Sequence, residues 1–161
     1  MILYYGSLER VAQPEIRESN RTLDYGTGFY ATTSYQQAED WVRRRMKEAK
    51  EKRGYVNEYE LNTEMLADLK CLYFDTPTEE WLDFVMKNRT ERGFTHDYDV
   101  VYGPVANDKV YAAFALYEGG LLSKQNLIAE LKTYKLVDQY LFHTPKALEA
   151  ISFIKATEIL L

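Results

Sequence analysis

Cysteine, histidine, proline and glycine are all scarce in this chain of 161 residues, and each scarcity narrows what it can be. Its one cysteine, Cys71, forms no internal disulfide, and in Lys70-Cys71-Leu72-Tyr73-Phe74 it reads as a small core residue. With only His96 and His143 beside it, distant in sequence, it falls short of the four ligands of a structural zinc site, so no metal is expected. Eight glycines and four prolines are too few for a fibrous or disordered chain, and 46% apolar residues are too many. No apolar run approaches the ~20 residues that span a bilayer. Met1-Ile2-Leu3-Tyr4-Tyr5 lacks the basic start and long apolar stretch of a signal peptide. The expectation is a single domain over residues 1–161, soluble and cytoplasmic, with no membrane partner.

Basic residues are also in the minority, 20 against 25 acidic, for a net charge of −5. The stretch from Trp41 to Arg53 runs against that trend, with Arg43, Arg44, Arg45, Lys47, Lys50, Lys52 and Arg53 against Glu48 and Glu51. An acidic chain does not hold nucleic acid through a diffuse field, which favours a protein over nucleic acid as macromolecular partner. The basic stretch can steer a phosphate-bearing ligand. Its plainer reading, preferred here, is a solvated helix face carrying the pairs Arg44–Glu48 and Lys47–Glu51.

Periodicity and turn chemistry predict an α+β fold with no internal repeat. Strands are expected at Ile2–Tyr5 (ending at Gly6-Ser7), Phe29–Thr33, Tyr55–Leu61, Leu69–Phe74, Val100–Tyr102, Tyr140–His143 and Ile151–Leu161. Residues 8–27 read as irregular, with a polar Glu18–Arg21 segment. Ser34 and Gln37 fit a capping box for a helix that Gly54 closes, with Ala38, Trp41, Val42, Met46 and Ala49 on one face. Thr76 is expected to cap a second helix, with Pro77 at its first position and Trp81, Phe84 and Val85 as its buried stripe. After a polar loop over 88–97 and the strand that stops at Gly103-Pro104, helices follow over 107–118 and 123–133, Ser123 capping the latter. Thr144-Pro145 opens a last short one.

Two apparent motifs fail on context. Gly26-Thr27-Gly28-Phe29-Tyr30-Ala31 matches the dinucleotide pattern G-x-G-x-x-A, but its glycines precede a strand-like segment instead of opening a helix. His96-Asp97-Tyr98-Asp99 offers an imidazole and two carboxylates with no distant partner to complete a metal site. No serine sits in a nucleophile-elbow context either.

A third set of residues holds together by order and spacing. Leu3-Tyr4-Tyr5-Gly6-Ser7 ends the first strand, Gly26-Thr27-Gly28-Phe29-Tyr30 enters the second, Trp41 follows on the next helix, and Asp138-Gln139-Tyr140-Leu141 lies on a late strand. This set resembles the ADP-ribosyltransferase superfamily, in its diphtheria-toxin-like and poly(ADP-ribose)-polymerase-like branch. It is most similar to a small bacterial family of unknown function usually placed there. The resemblance implies a split β-sheet core that binds NAD as substrate in a cleft between two small sheets. Tyr30 and Trp41 would sandwich nicotinamide, Gly6 and Ser7 would anchor its amide, and Gly28 would line the site. Tyr5 would orient the adenine-side ribose and Gln139 would hold the reacting ribose. It also implies transfer of ADP-ribose to a macromolecule, as an intracellular toxin or effector with an antitoxin partner. The chemistry fits such a set, because cleaving the glycosidic bond of NAD needs ring clamping, ribose orientation and stabilisation of positive charge.

Two positions depart from that pattern. The branch has histidine where this chain has Tyr5, and glutamate where it has Gln139. Glutamine brings no charge to an oxocarbenium-like centre, and losing one such contact costs about 3–4 kcal/mol. Histidine at 5 and glutamate at 139 are each expected to raise turnover. The competing expectations are a relative that binds NAD or a protein without turnover, and an unrelated α+β interaction module with aromatic surface patches. At the level of single residues, the plainer reading of Tyr30 and Trp41 is as core aromatics.

Overall fold

A computed structural model describes residues 1–17, 23–105 and 108–161; the polar Glu18–Arg21 segment and residue 107 lie outside the described residues. Among the described residues, seven strands fall into two sheets. The first is antiparallel, in the order β1 (Ile2–Ser7), β3 (Arg53–Leu61), β7 (Ile151–Leu160). The second runs β2 (Phe29–Ala31), β6 (Asp138–Phe142), β5 (Val100–Pro104), β4 (Cys71–Tyr73), parallel only between β4 and β5. One bridge ties β1 to the end of β2: Tyr4 N–H donates to Thr32 O at 2.7 Å and Thr32 N–H to Tyr4 O at 2.9 Å. The α+β class expected from the sequence is what the chain forms.

Period-two alternation along the strands sorts side chains into layers. Leu3, Tyr59, Leu61 and Ile151 of the first sheet pack against Phe29, Val100, Tyr140 and Phe142 of the second. The opposite faces take helices. Helix α1 (Tyr35–Ala49) lays Ala38, Val42 and Met46 on Val56 and Ile159, while Val101 and Leu141 face Trp81, Leu82 and Val85 of α2 (Glu79–Thr90). Phe114 of α3 (Asp108–Glu118) and Leu127 and Leu131 of α4 (Lys124–Leu131) complete that second layer. A bulge in β7 at Ile154 turns the strand over, so Phe153 faces the space between the sheets and Ile159 faces α1. Cys71 packs, half-buried, on the core between the sheets.

Helix ends differ from expectation in instructive ways. Ser34 does cap α1, accepting from Gln37 N–H at 3.1 Å, but its own N–H is taken by Thr32 Oγ1, so only half of a capping box forms. Lys50, at φ 57°, closes α1 instead of Gly54. Gly54 lies within β3, where a Cβ would stand 2.5 Å from Val42 Cγ2. Trp41 and Ala49 leave the buried face. Thr78, not Thr76, caps α2, because its hydroxyl is the one that reaches Trp81 N–H. A 3₁₀ turn over Thr63–Asp68 precedes a strand that starts only at Cys71, and β5 runs through Gly103-Pro104. Ser123 and Thr144 cap α4 and α5 (Pro145–Leu148) as expected. Among the described residues no helix is long and apolar enough to cross a membrane.

Candidate functional site

A cavity of about 520 Å³ opens where β1 and β2 meet under α1. That volume falls within the range of small-molecule and cofactor sites, roughly 300–1,000 Å³. Tyr5, Gly6, Ser7, Gly28, Tyr30, Trp41 and Gln139 all line it, although they span positions 5 to 139 of the chain.

From β1 come three of these. Tyr5 is half-buried and meets Phe29 edge to face, ring centroids 4.8 Å apart. Gly6 must lack a side chain, because a Cβ there would lie 2.3 Å from Ala38 O; its absence lets α1 close down on the strand. Ser7 Oγ accepts from Glu9 N–H at 3.2 Å, leaving its hydroxyl proton free to donate. Beneath them sits Asn57, fully buried on β3. Its amide donates to Tyr5 O and Glu9 O, both at 3.2 Å, and accepts from Val11 N–H at 2.8 Å. It therefore fixes the turn that carries Glu9 and Val11 along the cavity wall.

The loop before β2 is bound at almost every polar atom of Tyr25. Its hydroxyl donates to Pro104 O at 2.8 Å and accepts from Trp81 Nε1 at 2.8 Å, its N–H reaches Tyr30 Oη at 3.1 Å, and its carbonyl meets His96 Nε2 at 2.8 Å. Tyr30 donates to Gly26 O at 2.5 Å, so its hydroxyl is spent on the loop and its ring edges the cavity. Burial pushes both phenols well above their ordinary value. At Gly28 a Cβ would stand 2.4 Å from Phe142 O, with φ at +153°, so only glycine passes between β6 and the cavity.

Helix α1 presents Gln37, Trp41 and Arg44 to the same cavity, spaced so that they share one face. Trp41 is 38% exposed, which removes the reading of it as a core aromatic. The expected Arg44–Glu48 and Lys47–Glu51 pairs do not form. Arg43 pairs with Glu39 and Arg45 with Glu48, which leaves Arg44 at the cavity. On β6, Asp138 is committed to structure: Thr32 Oγ1, Thr33 N–H, Thr33 Oγ1 and Tyr102 Oη all donate to it between 2.6 and 3.2 Å. Its neighbour Gln139 donates through Nε2 to Asp24 Oδ2 at 3.3 Å and to Pro104 O at 3.4 Å.

Asp24 is a wall residue that sequence reasoning missed. It is a carboxylate only 8% exposed, yet it lines the cavity. The irregular segment around it carries no periodic signal; its one cue is that it precedes the Tyr25-Gly26 turn into β2. Asn57 was missed because a buried amide inside an alternating strand looks like any outward polar residue. His143, expected at the end of this strand, lies just past β6 and is used elsewhere. It bonds Thr27 O through Nδ1 and stacks on His96 at 4.2 Å. Among the described residues no group of three or more His, Cys, Asp or Glu is placed to hold a metal ion.

A family model described as "Protein of unknown function (DUF3990)" matches residues 1–153, and the chain belongs to that family. No curated protein and no solved structure matches it.

Proposed function

We propose that this DUF3990 protein binds NAD in the cavity between β1, β2 and α1 and transfers its ADP-ribose to a macromolecular acceptor, releasing nicotinamide. One observation carries the reading. The residues that the sequence resemblance selects, scattered from Tyr5 to Gln139, line one cavity of a size suited to a dinucleotide.

In this reading Trp41, exposed on one wall, and Tyr30, held by its hydroxyl on the other, sandwich the nicotinamide ring. Backbone groups of Gly6 and the Ser7 hydroxyl bond its carboxamide. Tyr5 meets the adenine-side ribose, and Arg44 faces the diphosphate. The bond from buried Tyr25 N–H to the Tyr30 hydroxyl sets that ring before the ligand arrives, which is the form positional catalysis takes. The acceptor is a protein rather than nucleic acid, in keeping with the net charge of −5. A role as a toxin or effector held by an antitoxin protein rests on the resemblance alone.

The test is nicotinamide release from NAD by this chain and by Tyr5→His, with cell lysate supplied as acceptor. Release by either variant, with label from the adenine moiety entering macromolecules, supports the reading. Binding of NAD with no release from either supports a second reading, a relative that binds without turnover. That second reading draws on the Tyr5 ring packed on Phe29, where a smaller imidazole would leave more room for the ribose.

A further inference from the structure

We infer that Asp24 supplies the negative charge of this site and that Gln139 is the positioning residue that holds it. The inference rests on the reading of the cavity as an NAD site. The one carboxylate of the late strand, Asp138, is committed to Thr32, Thr33 and Tyr102 and does not line the cavity. Of the carboxylates that do line it, Glu9 and Glu15 are exposed, and Asp24, from the loop before β2, is the buried one. The two side chains touch, Gln139 Nε2 to Asp24 Oδ2 at 3.3 Å.

The surroundings of Asp24 are built to keep it in place. Its neighbour Tyr25 is fully buried and bonded to Pro104, Trp81, Tyr30 and His96. Pro104 O, which accepts from Tyr25, also accepts from Gln139 at 3.4 Å, so both sides of the Asp24–Gln139 contact hang on one carbonyl. Asp24 itself is mostly shielded from water, where a charge acts more strongly on its neighbours. Burial does most to raise the Tyr25 and Tyr30 phenols, and the Asp24 carboxylate adds to it in both.

The step it would serve is simple in its balance. The bond between ribose C1′ and the nicotinamide nitrogen breaks, and its electron pair leaves with the nicotinamide as a neutral ring. Positive charge is left between C1′ and the ribose ring oxygen, where a fixed carboxylate stabilises it. The acceptor then gives an electron pair to C1′ and sheds its proton to water.

The experiment measures NAD affinity by calorimetry and nicotinamide release on the same preparations of the parent, Asp24→Asn, Gln139→Glu and the Asp24→Asn, Gln139→Glu swap, each also with Tyr5→His. Asp24→Asn is expected to keep NAD affinity within about threefold and to lower release by about 100-fold or more, the usual effect of removing one preorganised electrostatic contact. Gln139→Glu alone should not raise release, whereas the swap, which returns one carboxylate to the pair, should recover at least tenfold over Asp24→Asn. Release by Asp24→Asn within threefold of its parent overturns the inference, as does a gain in release from Gln139→Glu alone. A parent that binds NAD but releases none, with or without Tyr5→His, also overturns it and leaves the binding site standing. A parent that binds no NAD removes the cavity reading, and the inference with it.

Discussion

The side-chain amide of Gln139 lies 3.3 Å from a carboxylate oxygen of Asp24, on the wall of the cavity between β1, β2 and α1. That contact changes what glutamate at 139 would do. From the sequence, Gln139→Glu adds a missing charge; in the structure it sets two carboxylates against each other and removes the donor between them. Like charges that close do not both ionise readily, so the pair keeps a proton to a higher pH. The expected outcome is a lower melting temperature than the parent at pH 7.5, with the gap narrowing towards pH 5. A variant as stable as the parent at both values would show that the two groups do not meet.

Asn57→Ala tests the floor of the site. The substitution leaves Tyr5 O, Glu9 O and Val11 N–H without their partner. Buried groups stripped of hydrogen bonds cost about 1–3 kcal/mol each, less where water enters, so about 2–4 kcal/mol of stability should be lost. Denaturant unfolding measures it. A loss under 0.5 kcal/mol, an estimate of what surface changes cause, would mean that the turn at Glu9–Val11 holds without Asn57.

His96 makes stability depend on pH. Its Nε2–H donates to Tyr25 O and its Nδ1 accepts from Tyr98 N–H at 3.1 Å, so the folded ring is neutral with both nitrogens used. Burial holds its pKa below 6.5, opposed by the Tyr25 bond and Asp97 and helped by the neighbouring His143. The unfolded chain then takes up the proton first. Stability is full above about pH 6.5 and falls as pH drops from there through the lower folded pKa. Asp99 behaves differently. Burial alone would raise its carboxyl, but bonds from Thr144 and Lys70 N–H, with Lys146, bring it below 3.8, so its contribution persists until pH falls below that value. Melting temperatures between pH 7.5 and 5 should decline in the parent and much less in His96→Gln. An equal decline in both would assign the effect to another group.

Much of this was legible in the sequence because strands and caps announce themselves locally. Ser34, Ser123 and Thr144 cap the helices they precede, and the Gly26–Gly28 turn enters a strand as its residues suggest. The resemblance in the sequence also picks out Tyr5, Gly6, Ser7, Gly28, Tyr30, Trp41 and Gln139, which line one cavity. What escaped depends on contacts between distant segments. Asp24 and Gln139 stand 115 positions apart, and nothing local marks either as the other's partner. Arg44 pairs in sequence with Glu48, but Arg45 takes that glutamate in three dimensions. Gly54 looks like a helix stop because it follows one, yet its job is to admit Val42 and Met46 against β3.

Arg44 at the cavity gives the diphosphate half of NAD a partner. Arg44→Ala should weaken NAD binding about 5- to 20-fold at low salt, less at high salt, and leave nicotinamide binding and the melting temperature unchanged. Calorimetric titrations with NAD and with nicotinamide at two ionic strengths check this. Unaltered NAD affinity would place the diphosphate elsewhere.

The central claim is that the cavity holds NAD with Trp41 against the nicotinamide, and melting temperatures with and without NAD test it most directly on the parent and on Trp41→Ala. A ligand at about 100 times its dissociation constant adds about 2.7 kcal/mol, which for a domain of this size is a rise of roughly 5–10 °C. The parent should show that rise. Trp41→Ala, which removes an exposed side chain, should melt within roughly 2 °C of the parent without NAD and lose most of the rise, since stacking of one ring is worth about 1–3 kcal/mol. No rise in the parent at millimolar NAD, or a full rise in a Trp41→Ala protein, would contradict the account.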